Sequence, residues 1–127
     1  MAWRVLTDTP SPSDKIISIS GTVGQAVTAI LPPVAGLNHY ITQIEFTKYA
    51  TANINGSATP IIVTSTNLPG ALAWTFDTAQ SVGSIAFPKL WMLTAPIKSV
   101  TPGIITSIIA PAVANIIWRI NVLYYVS

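Results

Sequence analysis

Cysteine is missing from all 127 residues. Its absence excludes disulfides, thiolate metal sites and cysteine nucleophiles, and leaves the redox compartment undecided. Charge is nearly missing as well. Only 8% of the residues are charged, against about 25% in an ordinary soluble domain. The six cations (Arg4, Lys15, Lys48, Lys89, Lys98, Arg119) and four acids (Asp8, Asp14, Glu45, Asp77) are scattered, so the net charge of +2 forms no basic stripe. Nucleic acid is therefore not an expected partner. There is one histidine, His39. No segment of ten residues carries a helical apolar stripe.

With 50% hydrophobic residues and so few charges, the surface must be covered by Ser, Thr, Asn and Gln or buried against other chains. An oligomer or a component of a larger shell meets that requirement. A membrane span is the competing reading, because residues 99–118 carry no charge. Pro102, Gly103 and Pro111 would interrupt a spanning helix, and the isoleucines favour strands. No membrane is expected. The opening residues "MAWRVLTDTPSPSDK" lack the apolar run of a signal peptide.

The residues that are present describe an N-terminal arm and a β-domain. Residues 7–15, "TDTPSPSDK", fit neither a helix nor a paired strand. Residues 1–15 are read as arm and linker, with Trp3 beside Arg4 either a reach-out contact or packed on its own domain, and residues 16–127 as the domain. There "KIISIS" and "QAVTAIL" flank a turn, and prolines in "LPPVAG" stop the run. In "HYITQIEF", alternation predicts Tyr40, Thr42, Ile44 and Phe46 on one face and His39, Ile41, Gln43 and Glu45 on the other. Asn55-Gly56 is a favoured pair for a tight turn. "PIIVTS" and "ALAWTF" are strands, "DTAQSVGS" a loop, and "IAFPKLWML" a strand bent at Pro88. "TPGIITSIIA" and "NIIWRINVLYYV" close the chain, with Trp118, Ile120, Val122 and Tyr124 sharing a face. About eight short strands between Gly, Pro and Asn turns predict an all-β sandwich or barrel. The strand order is not legible at this level.

Chemistry finds little to work with. A Ser–His–Asp arrangement needs an acid beside His39, yet Glu45 lies about 20 Å further along the same strand. One histidine and four scattered acids are a poor zinc ligand set, and Asp8 and Asp14 of the arm are ill placed for a carboxylate pair. "GTVG" lacks the helix and Lys-Ser/Thr of a phosphate loop. His39 reads as a polar position at a strand start, whose loss should matter little to assembly. No enzyme activity and no cofactor are expected. Trp74 and Trp118 alternate with apolar residues, as core positions do; the surroundings of Trp91 alone leave a surface role open, and core or subunit contact is its first reading.

At "AGLNHYITQIEF", followed by the "FPKLWMLTAPIKSVTPGIITS" block and a terminal apolar strand, the chain resembles the jelly-roll capsid decoration (cement) proteins and related small virion proteins of tailed bacteriophages. Gly36, Tyr40, Ile41, Thr42 and Ile44 match the family's Gly-x-x-x-Tyr-[Ile/Leu]-Thr-x-[Ile/Leu] strand, and Phe87-Pro88 its bend. The resemblance covers roughly residues 30–126. It departs where the glycine-rich loop is reduced to Gly83 and where "LYY" replaces Gly-Tyr. The resemblance implies a jelly-roll sandwich with an N-terminal arm, assembled as a homotrimer on the virion surface. It would clamp the major capsid protein, with Trp3, Arg4 and Trp91 as candidate capsid or subunit contacts. A tail, neck or fibre-base component is the alternative within the same class. A carbohydrate-binding sandwich, with an exposed aromatic cluster, is the alternative outside it.

Overall fold

A computed structural model describes residues 15–87 and 95–127. Among the described residues nine strands occur in this order: β1 (Lys15–Ser20), β2 (Val27–Leu31), β3 (His39–Ala50), β4 (Ile61–Thr66), β5 (Trp74–Phe76), β6 (Gly83–Phe87), β7 (Ile97–Lys98), β8 (Thr106–Ala110) and β9 (Ile116–Val126). A short 3-10 turn, Pro69–Ala71, precedes β5. All pairings are antiparallel. Sheet A runs β1-β9-β3-β6, with the two-residue β7 beside the start of β3; sheet B runs β2-β8-β4-β5. With β7 set aside, the remaining eight strands fall in chain order as 1-8-3-6 and 2-7-4-5. That is the wiring of a jelly roll, two interleaved Greek keys in two sheets.

The turn between "KIISIS" and "QAVTAIL" does not join a hairpin. β1 pairs with β9 and β2 with β8, so the chain crosses from one sheet to the other there. Gly21 permits the crossing, because a Cβ at that position would lie 2.3 Å from Cγ2 of buried Val27. The expected turn at Asn55-Gly56 also differs. Neither residue has positive φ; residues 51–60 form a longer excursion, tied down where Ile54 bridges Gln80.

Between the sheets lies one apolar cluster built on Phe46, Trp74, Phe76 and Trp118, with Val, Ile and Leu filling around them. Phe76 meets Trp118 edge-on at 5.4 Å, and Phe46 meets Phe76 at 5.5 Å. The face shared by Trp118, Ile120, Val122 and Tyr124 is buried as the alternation predicts, and so are Trp74 and Phe76. Trp118 places its indole N–H on the Pro111 carbonyl at 2.9 Å, so the one polar atom of a buried ring is satisfied.

In β3 the predicted faces hold only from Gln43 onward. The ladder to β9 shifts register between Ile41 and Gln43. Thr42 is the extra residue of a β-bulge, and it reverses the parity of everything before it. His39 and Ile41 therefore join Ile44, Phe46, Lys48 and Ala50 on the buried face, while Tyr40 turns outward. There Tyr40 stacks on Tyr125 across the strand pair, with ring centroids 5.0 Å apart.

Candidate functional site

Among the described residues, polar side chains are buried inside this sandwich at each of its two ends. At the end formed by the start of β3, His39 is 1% exposed. Its Nε2 lies 2.7 Å from the Pro32 carbonyl oxygen, which can only accept, so Nε2 carries the hydrogen. Nδ1 then accepts from the Thr106 hydroxyl at 2.7 Å. Thr106 Oγ1 in turn accepts from the Asn67 amide at 3.1 Å. The Asn67 side chain also takes both backbone groups of Thr101, donating to its carbonyl at 3.0 Å and accepting from its N–H at 2.8 Å. Alongside, buried Ser99 exchanges hydrogen bonds with His39: its N–H donates to the His39 carbonyl, and its Oγ accepts from the His39 N–H. Asn38 closes the group by donating to Ser99 Oγ and to its carbonyl.

This network joins loop 32–38, the β4 end at Asn67 and loop 99–105. Both nitrogens of the imidazole are occupied and the ring packs edge-on to Tyr124 at 5.7 Å. In this arrangement His39 clamps loops to each other. The bulge at Thr42 is what brings it there, and no feature of the alternation announced it.

At the opposite end, Lys48 is also 1% exposed. Its ammonium donates to the Asp77 carbonyl oxygen. Burial pushes its pKa below the ordinary lysine value, and the negative charge of Asp77 opposes that shift. Gln80 donates from Nε2 to the Lys48 carbonyl at 2.9 Å and to the Gly83 carbonyl at 2.8 Å, fastening β3 to the start of β6. Beside this group an open cavity of about 180 Å3 is lined by Gly56, Ser57, Ala58, Pro60, Asp77, Thr78 and Ala79. Sequence reasoning counted Lys48 among six scattered cations and gave it no place in the fold. A signal was available, since Lys48 has the same strand parity as Ile44 and Phe46.

Trp3, Arg4 and Trp91, the residues singled out for contact with a capsid or a neighbouring subunit, lie outside the described residues, as does the bend at Pro88. Among the described residues no cluster of three or more His, Cys, Asp or Glu could hold a metal ion, and no helix is long and apolar enough to cross a membrane.

The surface is divided by charge. The outer face of sheet A holds a polar ladder in which Asn121 donates to Glu45 at 3.0 Å and Ser18 donates to Asn121 at 2.6 Å, with Arg119 beside them. The four strands of sheet B, "VTAIL", "TSIIA", "IIVTST" and "WTF", carry no charged side chain at all. Their outer face is Thr, Ser and Ile, with Ile30 and Ile62 exposed. No protein-family model matches this chain, and neither the curated proteins nor the solved structures yield a match.

Proposed function

We propose that this chain is a structural virion protein of a tailed bacteriophage: a capsid decoration (cement) protein that assembles as a homotrimer and binds the major capsid protein on the outside of the shell. One observation carries the reading. The chain has jelly-roll wiring, a frame that viral capsid proteins use widely, and dresses it in a surface whose sheet B is free of charge. A solitary soluble domain seldom leaves so much Ile and Val in water. The resemblance of residues 36–44 and 87–88 to the decoration-protein strand and bend points the same way.

In this reading the protein works as a clamp and needs no cofactor. Apolar area buried across a junction between capsid subunits contributes roughly 25 cal/mol per Å2 before the costs of association. Repetition over a closed shell lets a modest contact hold by avidity. The arm bearing Trp3 and Arg4, with Trp91, is the candidate contact with the shell or with a neighbouring subunit.

Antibody labelling of virus particles from the source organism tests the assignment. Label distributed over the head supports it. Label confined to tail, neck or fibre base moves the protein to the alternative position. Unlabelled particles together with a specific glycan-array signal would replace it with a carbohydrate-binding module.

A further inference from the structure

The His39 end of the sandwich presents a preformed apolar surface. Of the thirteen large apolar side chains exposed among the described residues, six gather there: Ile30, Val34, Leu37, Val100, Ile104 and Ile105. Val100, at 61% exposed, is the extreme case in the loops. These loops are held from behind. The His39–Thr106–Asn67 chain and the Ser99–Asn38 group fix their inner side, and Gly103 donates its N–H to the Leu37 carbonyl at 2.9 Å. Gly103 has φ +76, and a Cβ there would come within 3.3 Å of the Gly36 nitrogen, so the two loops approach as closely as glycine allows. Buried hydrogen bonds thus order loops whose outward side chains are isoleucine, valine and leucine.

We infer that this end is where the chain associates with further copies of itself, the loops 32–38 and 99–105 converging on the symmetry axis of a homo-oligomer. Charge and area argue for a second copy as occupant. Residues 16–44 and 99–118, which supply the surface, contain no Asp, Glu, Lys or Arg, so identical ends meet without like-charge repulsion. The nearest described charges, Lys15 and Lys98, are exposed on the sheet A side, in register with Tyr124 and Tyr40. A surface so poor in charge has the composition of the buried middle of a homo-oligomer contact. The six side chains expose on the order of 500 Å2, near the upper end for the largest apolar patch of a monomer. Two such ends face to face would bury on the order of 1,000 Å2, the least that a biological interface is expected to bury. Loops already fixed lose little freedom on docking. The inference rests on the self-assembly that the shell reading invokes, and not on the identity of the shell.

The test is sedimentation velocity on the full chain over a wide range of concentration, with Val100→Asp and Ile104→Asp combined. Both positions face water in the single chain, so the charges are compatible with the fold, and circular dichroism and melting temperature check that. The expected result is an oligomeric wild type whose dissociation constant rises at least about a hundredfold in the variant. Val82→Asp, at the opposite end, should leave it unchanged. A wild type that stays monomeric overturns the inference. So does an oligomer that survives the double change but dissociates with Ile16→Asp on the free edge of β1. If that oligomer still decorates particles, the shell reading stands without this interface. A chain that assembles through this end yet is missing from particles leaves the interface and removes the shell.

Discussion

His39 and Lys48 are both buried by the fold, and each is bonded, but the consequences differ. His39 donates from one nitrogen to the Pro32 carbonyl and accepts at the other from Thr106. Removing its ring leaves a cavity, an unpaired carbonyl and a Thr106 hydroxyl hydrogen without its acceptor, a loss of about 2–4 kcal/mol. The expectation that loss of His39 matters little to assembly does not extend to stability. His39→Ala and Thr106→Val each break the same chain of hydrogen bonds. Their effects on unfolding free energy should therefore fall short of additivity by about 0.5–3 kcal/mol. Strictly additive urea-denaturation energies would show that the two residues act separately. Lys48 gives a pH signature. In the unfolded chain its ammonium keeps its proton up to the ordinary lysine range; in the fold, burial makes it give up the proton earlier. Below the folded value both states are charged and the whole desolvation penalty is present. As pH rises through the folded value towards the unfolded one, the unfolded chain binds more protons and the fold gains stability. Measured against Lys48→Met, wild-type stability should rise as pH climbs towards about pH 10, where lysine titrates in the open chain. Parallel stability curves for the two proteins would contradict this account.

β3 shows how one inserted residue decides what a whole strand buries. Thr42 stands between the Ile41–Tyr124 and Gln43–Leu123 pairs. Without a bulge, strict alternation back from Ile44 would turn His39 and Ile41 to solvent and Tyr40 inward. The bulge absorbs Thr42 and reverses this, so deletion of Thr42 would restore a regular ladder with the same residues inside. Deletion of Thr47 would instead set the inward positions before it out of phase with those after it. The first variant should fold with a modest loss in melting temperature. The second should show no cooperative thermal transition. Equal damage from both, followed by circular dichroism, would mean that parity is not what the bulge serves.

In the whole molecule, the first described strand pairs with the last: Lys15 stands opposite Tyr124, and β9 lies between β1 and β3. Sheet A cannot close until the C-terminal strand arrives, and the loop entropy of that closure precedes most of the packing. Refolding should therefore fall in the millisecond-to-second range of long-range β topologies. Complete refolding in microseconds, measured by Trp fluorescence after denaturant dilution, would be incompatible with this order of assembly.

The sequence by itself determined that the chain is all-β, roughly where its strands lie and many of the side chains that fill the core. Those properties depend on turn residues, β-branched runs and period-two alternation, which neighbours in the chain express directly. Trp74, Phe76, Trp118 and Ile120 are buried for that reason. The near absence of charge was equally legible, and it left the surface to Ser, Thr, Asn and Gln or to contact with other chains. Tertiary structure alone decided the strand order, because pairing β1 with β9 depends on residues a hundred positions apart. It decided the fate of His39, because a bulge is a mismatch between two strands and has no signature in either one. It also decided that Lys48 is interior and that apolar side chains of β2 and of the loops 32–38 and 99–105 are left exposed at one end. Residues far apart in the chain acquire a shared environment only when the sheets close, and that closure sets which polar groups must bond and which apolar ones stay exposed.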